Sequence, residues 1–358
     1  MPIVPLFGHE ALRARLVDAA ARGVLPASIL LHGPAGVGKQ RLALDLARVL
    51  LCTGSGAPCG ECQDCRFALD LRHPDLHWLF PRPRLKDGDA SADEVAADFA
   101  GAVAERVANH GLYPPPPGSD GIYVATIRAL VRRASVSPAL SRRKVFVVGE
   151  AEHMVPQEGA DQAANAFLKL LEEPPEDTVL ILTSSEPGAL LPTIRSRVVS
   201  VRVPPLGADE VRAFAEHPEV RSRVATGGAR GPSTEELVRL AGGRPGSLLR
   251  SDEEGDGAAV ARRLLEAAEG RSRGRLMRTG FALGATGARG GFSSTLEHLT
   301  VLLHERVREA VDRGDDARAL ALGRAVVAVE EAKERAQRNV NPQLAGTRLL
   351  RELAGAFG

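Results

Sequence analysis

The 358-residue chain has no excess of either charge: 46 Lys and Arg stand against 45 Asp and Glu, a net of +1. No long-range field announces a nucleic acid or a membrane. There is also no apolar run near the ~20 residues that a bilayer-spanning helix needs. The first ten residues, MPIVPLFGHE, carry no h-region of a signal peptide, so a cytoplasmic location without a membrane partner is expected. Cysteine is scarce, and all four fall between 52 and 65. A disulfide framework in a reducing compartment does not explain that clustering. What is present is ordinary globular composition, 44% hydrophobic and 25% charged. The length predicts two or three domains.

Against this background residues 33–40, GPAGVGKQ, stand out. They follow the short apolar run SILLHG and precede RLALDLARVLL, which has helical apolar spacing. Strand, glycine loop and helix are the context of a phosphate-binding loop, G-x-x-x-x-G-K-[ST]. Gly33, Gly36 and Gly38 allow the backbone to wrap close to phosphates, and Lys39 is placed to reach β and γ oxygens. The last position should be a hydroxyl ligand of Mg²⁺, yet it is Gln40. The second metal ligand should be an acid closing a buried strand. After KVFVV the sequence has Gly149 there, and Glu150 takes the place of a water-polarising base. Both protein ligands of Mg²⁺ are missing. No Mg²⁺ site is expected, and ATP or ADP binding is expected to be weak or vestigial.

The cysteines read Cys52-x₆-Cys59-x₂-Cys62-x₂-Cys65 in a polar, glycine-containing stretch. Four thiolates at this spacing suit tetrahedral Zn²⁺. Iron–sulfur ligation competes, although the Pro that usually follows the last Cys is missing. His73 reads as a structural residue beside a complete ligand set.

The remaining patterns give an α/β fold class. Apolar strands (KVFVV, TVLILTSS) alternate with helices (9–22, RLALDLARVLL, IRALVRR, AANAFLKLLEEPP), as in a parallel sheet covered on both faces. Residues 81–121, rich in Pro, Gly and Asp, read as a surface insertion tipped with one helix, which Ser91 and Glu94 would cap and Val95, Phe99, Val103 and Val107 would line. From 207 onward only helical patterns occur. The expected domains are 1–206, a small helical domain at 207–250, and a helical domain at 251–358.

With these residues in hand the chain resembles the delta-prime subunits of bacterial DNA polymerase III clamp loaders, within the AAA+ superfamily. The resemblance rests on LLHGPAGVGKQRLALDLARVLLC, PCGECQDCRFALDLRHPDLH, AANAFLKLLEEPPEDTVLILTSSEPGALLPTIRSR and NVNPQL at 339–344. It implies a lid at 207–250 and a C-terminal helical collar. It places Thr183 at sensor 1, and Arg197 in a Ser-Arg-Cys motif whose Cys is Val198 here. In that motif the Arg is an arginine finger offered in trans to the ATP of a neighbouring subunit. The sensor 2 arginine falls near Gly246 and is absent. The resemblance further implies a non-hydrolysing stator in a hetero-oligomer with delta and the gamma/tau ATPase subunits, with a sliding clamp and primed DNA as partners. Two other readings stay open: a hydrolysing gamma/tau-type subunit, and a zinc-module adaptor on the same scaffold. Arg128, Arg132 and Arg133 could meet DNA phosphates or line a solvated helix face.

Overall fold

Five short apolar runs pair into one parallel sheet in the computed structural model, which describes residues 3–85, 90–114, 120–154, 161–224, 232–249, 252–269, 289–337, 346 and 348–353. The strands are β1 (Ser28–His32), β2 (Leu76–Leu79), β3 (Lys144–Val148), β4 (Thr178–Ser184) and β5 (Val199–Arg202), in the order β2-β3-β4-β1-β5. Every residue of β3 and β4 is buried, as expected of interior parallel strands covered on both faces. Register places Leu31 beside Thr183 and Val148 beside Leu182. The glycine loop and the segment after β3 therefore leave the sheet at the same, carboxyl end. That end, where the strand order reverses, is where open α/β sheets place ligands.

Helix α1 (Glu10–Ala21) ends before Gly23, whose φ of 70° stops it. Helix α2 (Lys39–Leu51) starts at left-handed Gly38 and buries nine of its thirteen residues against the sheet. A short α3 (Gln63–Leu69) follows the cysteines. Then come α4 (Ala92–Ala108), α5 (Val124–Ala134) and α6 (Asp161–Glu172), the last stopped by Pro174 and Pro175.

Helix α4 corrects the expectation of a surface insertion. Its capping box forms as expected: Ser91 Oγ accepts from Glu94 N–H, and the Glu94 carboxylate accepts from Ser91 N–H. Its apolar stripe, however, is not a surface decoration. Val95, Phe99 and Ala102 belong to the main core, and Phe99 packs edge-on to Phe80 at 5.4 Å. Arg106 lies over the rings of Phe80 (3.3 Å to the centroid), Tyr113 (3.7 Å) and Trp78 (4.5 Å). A helix burying this much aromatic surface is part of the domain.

After a one-turn helix α7 (Pro192–Arg195) and β5, the chain is helical: α8 (Ala208–Glu216), α9 (Pro218–Val224), α10 (Thr234–Ala241), then a 3₁₀ turn at Pro245–Leu249. These elements pack on the N-terminal segment, with Phe7 edge-on to Phe214 at 5.7 Å. Contacts group the described residues up to Leu249 as one compact unit. A second unit contains α11 (Asp252–Glu269), α12 (Arg289–Asp312), α13 (Asp316–Gln337) and helical residues 348–353, around a core including Leu264, Leu299, Leu322 and Leu349. Residues 339–344 lie outside the described residues. No described helix is long and apolar enough to cross a membrane.

Candidate functional site: a plugged phosphate loop and a thiolate cluster

The loop between β1 and α2 has the predicted backbone form. Gly36 and Gly38 are left-handed (φ 81° and 94°), a region that costs a side chain dearly. A Cβ on Gly33 would overlap the carbonyl oxygen of Val203. Lys39, however, is not extended toward open space. Its ammonium donates to Gly33 O (2.9 Å), Pro34 O (2.8 Å) and Ser185 Oγ (2.9 Å), so all three protons have acceptors within the protein. Burial pulls its pKa down to about 8, against the opposing charges of Glu152 and Glu150.

Gln40 answers why the metal ligands are missing. Its side chain is almost wholly buried. Its Oε1 accepts from Trp78 Nε1 (2.9 Å) and its Nε2 donates to Glu150 Oε1 (3.2 Å). The carboxamide thereby ties α2 to β2 and to the end of β3. It also fills the space beside Gly149. A Cβ there would lie 2.5 Å from Gln40 Cδ and 2.8 Å from its Nε2. Gly149 does not have a positive φ, so space alone, and not backbone conformation, keeps a side chain out. The two departures from the motif meet in space: a side chain at 149 could enter only if the hydrogen-bonded Gln40 carboxamide moved aside.

Glu150 does not stand as a free base. It is left-handed (φ 52°), its carboxylate accepts from Gln40, and burial pushes its pKa up. Its N–H donates to Thr183 Oγ1 (3.1 Å), which gives that hydroxyl a structural bond. At Gly246 there is no room for the arginine that the motif would place nearby. The Gly246 N–H donates to Gly36 O (2.8 Å), and a Cβ on it would lie 2.8 Å from Gly36 Cα. The 3₁₀ turn thus rests directly on the glycine loop.

At the other end of α2, thirteen residues and ~20 Å away, the four cysteine sulfurs lie within 4.8 Å of one another. Cys52 and Cys59 are 3.6 Å apart, Cys52 and Cys62 3.9 Å, and Cys59 and Cys65 3.9 Å. A tetrahedron with metal–sulfur bonds of about 2.3 Å has edges near ~3.8 Å, so the set fits a tetrahedral metal ion. The N–H groups of Cys59, Cys62 and Cys65 each point at the preceding cysteine sulfur in the set at 3.4 Å. A Cβ on Gly54 would strike Cys59 Sγ at 2.6 Å. His73 is a supporting residue: its Nε2 meets Asp64 Oδ1 (3.0 Å), its Nδ1 accepts from Asp75 N–H (3.0 Å), and Thr53 Oγ1 donates to Asp64.

Arg197 stands apart from the loop. It is half-buried, paired with Glu172 at the end of α6, and donates to Thr193 O (2.9 Å). The free outward charge expected from the sequence is, in this chain alone, held by its own carboxylate. Arg195, two residues earlier, is exposed. Arg128, Arg132 and Arg133 are exposed on α5, with Arg133 reaching His77 and Pro74 O at 3.4 Å.

A family described as DNA polymerase III, delta subunit, matches residues 8–207, more than half of the chain. The chain belongs to that family. Among the relatives of this family member, the DNA polymerase III subunit delta' of Pseudomonas aeruginosa is 34% identical over 233 residues, 63% of this chain and 56% of its own length. The chain thus spans about half the length of that relative. The gamma/tau subunit of Mycobacterium tuberculosis is 36% identical over 192 residues, 53% of this chain and 26% of its own. A solved gamma subunit-related protein from Thermotoga maritima is 19% identical, with 98% of this chain and 99% of that chain covered and a TM-score of 0.41.

For this family member, sequence reading missed Trp78, Arg106 and Asp64. Trp78 is the only Trp in the chain and sits in an apolar run, and only the folded structure points its N–H at Gln40.

Proposed function

We propose that the chain is a delta-prime-type clamp-loader subunit: a stator without its own hydrolysis that offers Arg197 to the ATP of a neighbouring gamma/tau subunit. Its further partners are delta, a sliding clamp and primed DNA, its compartment is the cytoplasm, and Cys52, Cys59, Cys62 and Cys65 hold one structural Zn²⁺. The observation that carries the reading is the Gln40 plug. Phosphoryl transfer relies on a metal to neutralise charge across the β and γ oxygens. Here the carboxamide occupies the space of one ligand and excludes the other. The same observation opposes a hydrolysing gamma/tau-type role. Residual nucleotide contact is left to the backbone of Gly33, Gly36 and Gly38, and would require Lys39 to give up its present acceptors.

In an assembled complex Arg197 would exchange Glu172 for phosphate oxygens. The exchange is cheap, because the Glu172 carboxylate is half exposed to water and an ion pair at the surface stabilises by about 1 kcal/mol or less. The test is steady-state ATP turnover by the reconstituted loader with clamp and primed DNA. Arg197→Ala should assemble normally and lower turnover, by about 10³-fold at the one site served and partially for the whole complex. Arg197→Lys should fail nearly as badly, because an ammonium lacks the planar fork, whereas Arg195→Ala should matter less. Unchanged loading by Arg197→Ala, or loss of assembly, overturns the finger. Metal-dependent turnover of about 1 s⁻¹ or more by the chain alone overturns the stator.

A further inference from the structure

The cysteine cluster is tied to a loop that is remote in sequence. Residues 137–143 link α5 to β3 and belong to no helix or strand. Their backbone N–H groups need acceptors that no ladder supplies. One side chain serves three of them. The carboxylate of Asp75 is almost wholly buried. It accepts from the N–H groups of Ala139 (2.6 Å), Leu140 (2.8 Å) and Ser141 (2.8 Å), 64 to 66 residues further along the chain. Burial would raise the pKa of this carboxyl, but the three bonds hold it below the usual range. Ser141 Oγ also donates to Leu51 O (3.0 Å), at the end of α2 beside Cys52.

Asp75 is itself held from the cysteine side. Its N–H donates to His73 Nδ1 (3.0 Å), so the ring proton sits on Nε2, which donates to Asp64 Oδ1 (3.0 Å). The other oxygen of Asp64 accepts from Thr53 Oγ1. Asp64 lies between Cys62 and Cys65, and Thr53 follows Cys52. A continuous path of hydrogen bonds therefore runs from the cysteines through Asp64, His73 and Asp75 to the loop. All three side chains are buried, so none can turn to water when a neighbour shifts. Groups behind metal ligands ordinarily orient those ligands. Here the same shell continues outward and orients a segment that contributes no ligand.

We propose that the metal-bearing cysteine module anchors loop 137–143 through Asp64, His73 and Asp75, so that loss of the metal releases the loop. This rests on the zinc reading of Cys52, Cys59, Cys62 and Cys65 and is independent of the stator reading. His73 and Asp75 are positioning residues in it, not ligands. The loop presents Leu140 and Arg142 to solvent. Metal occupancy thus sets the form of an exposed surface beyond residues 52–77. Coupling of this kind is reciprocal: whatever loosens the loop must also weaken the hold on the metal.

The experiment follows amide hydrogen exchange in the full chain, with zinc bound and after its removal by a chelator, with metal content measured on the same samples. Peptides covering 137–143 report the loop, and peptides covering β4 are the control. Removing zinc should speed exchange in the loop by about tenfold or more while β4 stays protected. Asp75→Asn leaves one acceptor oxygen in place of two. It should still bind one zinc, free the loop, and release zinc to a chromogenic chelator about tenfold faster than wild type. Should that variant fail to fold, the wild-type comparison still decides. Unchanged loop exchange after zinc loss, an equal rise in β4, or zinc release by folded Asp75→Asn at the wild-type rate would each overturn the coupling and leave the zinc reading standing. A chain that binds no metal on its cysteines would overturn both.

Discussion

Installing the missing carboxylate alone should damage the protein. In Gly149→Asp the new Cβ falls 2.5 Å from Gln40 Cδ, well inside contact distance. Strand β3, which Gly149 follows, and its neighbour β4 are fully buried, so the Gln40 side chain is the group that must move. Two hydrogen bonds go with it, and Trp78 Nε1 is left buried without an acceptor. An orphaned buried donor costs about 1–3 kcal/mol, and forced repacking of a filled core adds about 1–3 kcal/mol. Together these come to about 2–6 kcal/mol. For a unit of this size each kcal/mol lowers Tm by about 2–4 °C, so a loss of roughly 4–24 °C is expected. Gln40→Ser alone should cost less, since it removes the bonds and leaves a void without a clash. The double variant is the decisive one. Serine vacates the space, and the carboxylate introduced beside it can then accept from Trp78. Its destabilisation should fall short of the sum of the two single effects by about 1–3 kcal/mol, the range of coupling between residues in contact. Chemical denaturation of the four proteins measures this cycle. Additive effects would show that the Gln40 carboxamide does not hold the place of the carboxylate, and the argument for a plugged site would fail.

Two further outcomes are expected. Elemental analysis should find one zinc per chain, and Cys62→Ser should lose it and make residues 52–77 sensitive to protease, because structural zinc binding is folding energy; iron with visible absorption would refute the assignment. His77, stacked on Phe146 at 4.8 Å, has its pKa pushed down to about 4 by burial and by the Arg133 charge. Between pH 6.5 and 4 the unfolded chain binds the proton and the folded chain does not, so stability falls as pH drops through that window, by up to about 3 kcal/mol. His77→Phe keeps the stack and should remove that part of the acid sensitivity, measured as urea unfolding at about pH 7 against about pH 4.5; an unchanged pH slope would show that His77 does not titrate in that window.

Local signals carried well where one physical rule decides. The glycines before Lys39 had to be a tight loop, the run KVFVV had to be an interior strand, and Ser91 with Glu94 had to open a helix. The cysteine spacing produced a cluster that closes to tetrahedral distances. Legibility failed where burial depends on a partner distant in sequence. Helix α4 looked peripheral because Pro-rich and Gly-rich segments flank it, yet Phe99 meets Phe80 and Arg106 covers Trp78. The stripe of Val95, Phe99 and Val103 was visible, but the aromatic surface waiting for it was not. Glu150 and Thr183 were legible as positions, though not as the bonded pair that occupies both.

Lys39 and Gly246 extend the same logic to the whole loop. A working phosphate cradle leaves its donors unsatisfied, so that the ligand completes them. Here the lysine ammonium has three protein acceptors, Gln40 has both of its amide ends bonded, and Gly36 O already accepts from Gly246. Each bond contributes about 1 kcal/mol net, and any ligand that needs these groups must first break them.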